Sequence, residues 1–455
     1  MFRRNIETQL HKWAENPYRK PLILRGARQV GKTTVINQFA ENFENFISIN
    51  LEKSAAKNLM ESVDEVKKLL PLLFLYANKT QKKGRTLLFI DEIQNSPHTV
   101  SLLRYFYEET PEIYVIAAGS LLETMLDKHI SLPVGRVEYM ALHPCSFSEY
   151  LAAINENGLL QVINEEESVN LFHQPLIEHF ERYALIGGMP EVVARYAAER
   201  DIVALAQTYN ELLNAYKNDV EKYAETNTQA AVIRYILEEG WAFSGQPITF
   251  GGFAASPYKA RETGEAFRTL SKAMLLELVY PTTNTIMPAI SDLKKTPKLF
   301  WLDAGLVNYA AGIQREYLLH KDLMDTWRGA AAEQIVAQEL KALSNDVGFK
   351  RNYWRRNKRG STAEVDFVWI QDGLIIPIEV KSGHNAHLKS IHQFMNETNH
   401  NVAVRIWSGK YSIDDVKTSA GKSFRLINLP FYLISKLPEI LIRTKNEDNC
   451  LMCNV

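Results

Sequence analysis

The string Gly26-Ala27-Arg28-Gln29-Val30-Gly31-Lys32-Thr33-Thr34 places two glycines ahead of a lysine and a hydroxyl. Glycines let a backbone wrap so that its N–H groups face phosphates, a lysine adds a point charge for the outer phosphates, and the following hydroxyl can ligate Mg²⁺. The strand-like Leu22 to Leu24 precedes the loop and the helical stretch Thr34 to Ala40 follows it, which is the context such a cradle needs. Thr86-Leu87-Leu88-Phe89-Ile90-Asp91-Glu92 is an apolar run that ends in two carboxylates. It reads as a buried parallel strand whose C-terminal end meets a nucleotide. Asp91 is expected to hold Mg²⁺ and Glu92 to polarise the attacking water as a general base, with ATP as the nucleotide.

A further strand, Ile113 to Ala118, ends at Gly119-Ser120. In a doubly wound sheet Ser120 would face the γ-phosphate; as a helix N-cap before Leu121 to Leu126 it would serve structure alone. Arg136 follows Gly135 in a loop, where its guanidinium either reaches a neighbouring subunit's nucleotide as an arginine finger or is an ordinary surface arginine.

The chain resembles the bacterial and archaeal AAA+-type ATPases whose first motif reads Gly-Ala-Arg-Gln-Val-Gly-Lys-Thr-Thr, here Gly26 to Thr34, and whose second ends Asp-Glu-Ile-Gln, here Asp91 to Gln94. Gly119-Ser120, Gly135-Arg136, Gly187-Gly188-Met189-Pro190-Glu191 and Leu302-Asp303-Ala304-Gly305-Leu306 extend the similarity over nearly the whole chain. The resemblance implies a homo-oligomerising ATPase, a ring such as a hexamer, followed by a winged helix and a domain of unknown function with a nuclease-like fold.

Near the C-terminus, Glu364-Val365-Asp366 is followed by Pro377-Ile378-Glu379-Val380-Lys381. Strand alternation puts Glu379 and Lys381 on one face. With Glu333 from the preceding helix, Asp366 and Glu379 can converge on a second Mg²⁺ or Mn²⁺, while Lys381 orients water or stabilises a charged phosphate. The pattern resembles the PD-(D/E)xK restriction-like nucleases. Just before it, Lys350, Arg351, Arg355, Arg356, Lys358 and Arg359 surround Tyr353 and Trp354 without an acid, which suits phosphate contacts with aromatic stacking on bases, or a solvated strand with its aromatics in the core. Arg261, Arg268 and Lys272 lie on one helical stripe, diluted by Glu262 and Glu265, as a second candidate DNA face.

These residues need elements to hold them. The 455 residues suggest about three domains. Residues 1–144 read as an α/β, AAA+-like P-loop NTPase unit with a parallel sheet, because short β-rich runs alternate with amphipathic stretches. Residues 145–228 read as a helical connector, with Gly187-Gly188-Met189-Pro190 as a helix-breaking turn. Residues 229–315 follow the helix, short helix, long helix, hairpin order of a winged helix-turn-helix. Residues 325–435 read as a restriction-endonuclease-like α/β domain, and 436–455 as a frayed tail carrying free Cys450 and Cys453.

Lys+Arg 52 against Asp+Glu 53 leaves a formal charge of -1, so any DNA must be met by a local basic patch. Three cysteines fit a reducing compartment, and the charged N-terminus lacks a signal-peptide core. The apolar run Leu69 to Ala77 is far shorter than the roughly 20 residues of a membrane span. A cytoplasmic protein without a membrane is therefore expected. Beside an ATPase acting on DNA, two uses stay open: a nucleotide-switched DNA-binding scaffold with a silent nuclease-like fold, and a protein-remodelling machine. The last needs an aromatic pore loop, and Phe74 and Tyr76 lie in a run that reads better as helix core.

Overall fold

The computed structural model describes residues 2–119, 135–165, 168–315, 328–358, 360–382 and 388–453. Near the N-terminus, β1 (Leu22–Arg25), β2 (Asn45–Asn50), β3 (Thr86–Asp91), β4 (Ile113–Gly119) and β5 (Glu138–Ala141) form one sheet in the order β2-β3-β4-β1-β5. All four pairings are parallel. Alternation along the strands feeds two apolar layers. Leu22, Leu24, Leu87 and Phe89 pack with Val35, Ile36 and Phe39 on one face. Ile23, Leu88 and Ile90 pack with Leu69, Leu73, Val100 and Phe106 on the other. Helices cover both faces, so β3 is buried along its whole length, which explains its unbroken apolar run. On the helix Val66–Tyr76, Phe74 is buried in the core as expected, whereas Tyr76 at its end is exposed.

From 145 to 228 the described residues contain helices and no strand, as expected. The glycine pair lies between the helices His173–Ile186 and Pro190–Glu199. It is more than a turn. A Cβ on Gly188 would stand 2.1 Å from the Cys145 carbonyl oxygen, so the chain approaches there as only glycine allows. The Gly188 N–H donates to Asp303 Oδ2 at 2.6 Å, and Asp303 Oδ1 accepts from the Leu306 N–H at 2.9 Å. The two glycine- and aspartate-bearing strings, far apart in sequence, thus form one buried joint.

That joint continues into a buried carboxyl. Glu339 Oε1 lies 2.6 Å from the Tyr183 hydroxyl and accepts from the Phe147 N–H at 3.0 Å. Burial pushes the Glu339 carboxyl up to about 7. A raised folded-state pKa means that the native state holds the proton more tightly, so this group's stabilisation is complete below its unfolded value and is lost as pH rises through about 7. The swing is about 3 kcal/mol. Urea midpoints of the parent and Glu339→Gln, compared at pH 5 and 8, are expected to diverge, with the variant losing less on the alkaline side; parallel pH profiles would contradict it.

Next come the helix Asn227–Glu239, a short turn Phe253–Ala255, the helix Ala260–Lys272, and antiparallel β6 (Leu276–Thr282) and β7 (Lys298–Trp301). The order matches the expectation; the separation from the C-terminal sheet does not. Tyr280 to Thr282 pair in parallel with β8 (Asn352–Arg355). The hairpin therefore joins β9 (Glu364–Gln371), β10 (Leu374–Lys381), β11 (Val402–Trp407), β12 (Ser412–Lys417) and β13 (Ser423–Pro430) in an eight-stranded sheet, β12-β13-β11-β10-β9-β8-β6-β7. A hairpin that hydrogen-bonds β8 removes an exposed strand edge, and the sheet runs across the boundary expected near 315–325. Nor is the C-terminus a frayed tail: Leu437–Cys453 is helical, with Leu437 and Ile440 buried.

Candidate nucleotide site and C-terminal acidic cluster

The C-terminal ends of β1, β4 and β3 lie side by side, with Arg25 level with Gly119 and Ile90 level with Ala117. From β1 the chain turns through Gln29 (φ 66°) and Gly31 (φ 92°), left-handed positions that wind the backbone into a loop before the helix Lys32–Phe39. Lys32 Nζ donates to the carbonyls of Gly26 and Ala27 at 2.9 and 2.8 Å. Burial pushes its ammonium down to about 8, against the pull of Glu92 and Asp91. The Thr33 hydroxyl donates to Asp91 Oδ2 at 2.9 Å, so the two oxygens expected to share Mg²⁺ already face each other.

Glu92 sits just past β3 with φ 54°, a left-handed conformation that a non-glycine residue adopts only where its surroundings hold it. Its carboxylate accepts from Gln94 Nε2. Gln94 had no assigned role in the sequence, and nothing but its place at the end of the Asp-Glu-Ile-Gln string could have flagged it. Ser120 lies outside the described residues. Arg136 is exposed, with its Nε 2.9 Å from Glu108 Oε1 of its own chain.

Three residues without a motif brace the loop. Arg4 donates to the Val30 carbonyl at 3.0 Å and the His143 carbonyl at 2.7 Å, and pairs with buried Glu149 at 3.0 Å. Arg28 is ion-paired with Asp219, and the Tyr216 hydroxyl donates to the Arg28 carbonyl at 3.2 Å. The helical connector thereby touches the phosphate loop directly.

A family model for the AAA domain matches residues 18–151. This segment is similar to AAA domains. With its loop, lysine and paired carboxylates it supplies an ATP-binding P-loop ATPase unit. Two further models, both domains of unknown function (DUF8612 and DUF4143), match 177–317 and 328–432. An uncharacterized protein of Methanocaldococcus jannaschii is 25% identical over 399 residues, 80% of this chain and 76% of its own. Among solved structures, the Walker-type ATPase of Pyrococcus abyssi aligns at 16% identity and TM-score 0.42, over 68% of this chain and 96% of its own. The Holliday junction branch migration motor RuvB of Thermotoga maritima aligns at 15% identity and TM-score 0.25, over 60% and 89%.

Beyond the AAA domain, the C-terminal carboxylates do come together, around an unforeseen residue. Lys298, on β7, places its Nζ 3.0 Å from Glu333 Oε2, 3.1 Å from Glu364 Oε1 and 3.4 Å from Asp366 Oδ1. Burial opposes the Lys298 charge, but the three acids more than offset it and hold the ammonium protonated. Lys381 Nζ lies 2.7 Å from Glu379 Oε1, and Asp366 Oδ2 accepts from the Val380 N–H at 2.9 Å. Burial together with the Asp366 charge raises the carboxyls of Glu333 and Glu379. Among the described residues no group of three or more acids, histidines or cysteines is arranged to hold a metal ion. The expected set of Glu333, Asp366 and Glu379 does not fit one, because an ammonium stands among the carboxylates.

The basic run follows the second of the two readings left open for it, with its aromatics in the core rather than free to stack on bases. Tyr353 and Trp354 are fully buried. Arg351 is buried too, bound to Glu277 at 2.6 Å, so it cannot serve a phosphate. Arg356 pairs with Glu397. Lys350, Arg355 and Lys358 are exposed, and Arg359 lies outside the described residues. On the Ala260–Lys272 helix, Arg268 is exposed, Arg261 pairs with Glu265 at 3.0 Å, and Lys272 is half-buried.

Proposed function

We propose that this chain is a cytoplasmic, Mg²⁺-dependent ATPase that works as a homo-oligomer, with Arg136 of one subunit serving the nucleotide of the next, and that its C-terminal half, a winged helix fused to a nuclease-like sheet, holds DNA. The observation that supports the catalytic part best is the approach of the Thr33 hydroxyl to Asp91 at 2.9 Å beside Lys32. Mg²⁺, when bound with ATP, supplies charge neutralisation for the phosphates. The protein's own groups do the rest. The loop N–H groups and Lys32 hold the phosphates, Thr33 and Asp91 would hold the ion, and Glu92 takes the proton of the attacking water.

The DNA part rests on exposed Lys350, Arg355 and Lys358 beside the wing. Each phosphate contact releases counterions, so neutralising the three to glutamine is expected to weaken duplex binding and to lower the slope of log affinity against log salt by up to about 3. Fluorescence anisotropy over a salt series reads both. ATP hydrolysis without DNA stays at the parental rate. A triple variant with parental affinity and slope would remove this surface from the reading, whatever the ATPase does.

A further inference from the structure

The carboxylate cluster of the C-terminal sheet and the lysine of β7 have a consequence that goes beyond the ATPase reading and rests on the nuclease-like reading of that sheet. Glu333 Oε2, Glu364 Oε1 and Asp366 Oδ1 come from one helix and one strand, yet all three point at a single place, and the Lys298 Nζ occupies it. Partly buried carboxylates this close need a counter-charge. A divalent cation would take oxygens at about 2.0–2.6 Å around the same point. It cannot do so while the ammonium is there. Lys298 is 3% exposed, and all four residues of β7 are buried. Its ammonium also lies 5.4 Å from the centre of the Tyr353 ring, whose hydroxyl donates to the Thr296 carbonyl at 2.8 Å, two residues before Lys298. Moving the lysine out therefore means moving the strand that carries it. A second lysine points the same way: the buried Glu379, on β10, pairs through Oε1 with Lys381 Nζ at 2.7 Å, so this carboxylate too already has an ammonium as its counter-charge.

We propose that Lys298 is the resident cation of this cluster, standing where a divalent metal would otherwise bind, so that the nuclease-like site is a latent metal site closed by the chain's own wing strand and does not cut DNA. The lysine comes from outside the nuclease-like segment, so the closure also ties the β6–β7 hairpin to β9 and to the helix Arg328–Ala342 by charge, in addition to the β6–β8 ladder.

The test uses the full chain without nucleotide and Mn²⁺ as the probe, followed by isothermal titration calorimetry. The parent and Asp366→Asn are expected to give the same Mn²⁺ isotherm, since no metal reaches Asp366. Lys298→Met is expected to gain one Mn²⁺ per chain, and Lys298→Met with Asp366→Asn to lose it again. Lys298→Arg keeps the charge and is expected to gain nothing. An equivalent of Mn²⁺ bound by the parent and removed by Asp366→Asn would overturn the proposal, as would Mn²⁺-dependent DNA cleavage by the parent that Asp366→Asn abolishes. A Lys298→Met protein that keeps parental ATPase turnover yet gains no site would overturn it too. If Lys298→Met does not fold, the comparison of the parent with Asp366→Asn decides the matter alone. DNA affinity, measured in the same samples, separates a failure here from a failure of the DNA reading.

Discussion

Lys32→Ala is expected to weaken ATP binding by about 10- to 100-fold, and Glu92→Gln to leave binding intact while slowing hydrolysis by about 10²- to 10⁴-fold. The difference follows from what each side chain touches. Lys32 belongs to the loop, held 2.9 and 2.8 Å from two of its carbonyls, and its charge acts on phosphate in the bound state as much as in the transition state. Because burial has pushed that ammonium down to about 8, nucleotide affinity is expected to fall as pH rises through 8, where the free protein's lysine loses its proton. Glu92 stands off the loop, on a left-handed turn after β3, and acts only when a water loses its proton. Glutamine keeps its shape and its contact with Gln94 but not its basicity. Equilibrium binding of a fluorescent ATP analogue and steady-state phosphate release separate the two phenotypes; parental turnover by Glu92→Gln would remove Glu92 from the role of base.

The phosphate loop, β3 with its two acids and the all-parallel N-terminal sheet were legible in the sequence because each is a local string whose residue types state their own chemistry. Chains of helices between 145 and 228 were legible for the same reason, through periodicity. What escaped was set by pairings far apart in the chain. The run around Tyr353 and Trp354 left stacking and core packing both open, and the fold decides it: β8 lies between β9 and β6 in the middle of the sheet, and alternation sends one ring into each of two cores. Nothing within the run tells a central strand from an edge. Lys298 had no signal at all: a lysine at the foot of a hairpin is ordinary until that hairpin is laid against β8. Arg4 and Asp219 reach the phosphate loop from 26 residues before and 191 residues beyond the positions they touch, so no spacing rule could have found them. The Gly187-Gly188 pair was legible as a break, whereas its partner Asp303 required the fold.

Arg136→Ala is expected to leave ATP affinity near the parental value and to cut turnover by about 10³- to 10⁵-fold, the range for a guanidinium that acts on transition-state charge. Its present partner does not stand in the way. The Arg136 to Glu108 pair, at 2.9 Å, lies on the surface, where water and salt screen it, and Glu108 keeps Arg104 at 3.1 Å when Arg136 leaves. A finger supplied by the neighbour makes a specific demand on mixtures. Arg136→Ala subunits have a complete site of their own and lack only the residue that they lend; Glu92→Gln subunits have a dead site and an intact Arg136 to lend. Mixing the two inactive proteins is expected to restore turnover that rises and then falls with their ratio, as heterologous contacts form at Arg136→Ala sites. An arginine that serves its own subunit, or only the surface, gives no such maximum, and a mixture without recovered turnover at any ratio would rule out a finger acting across an interface.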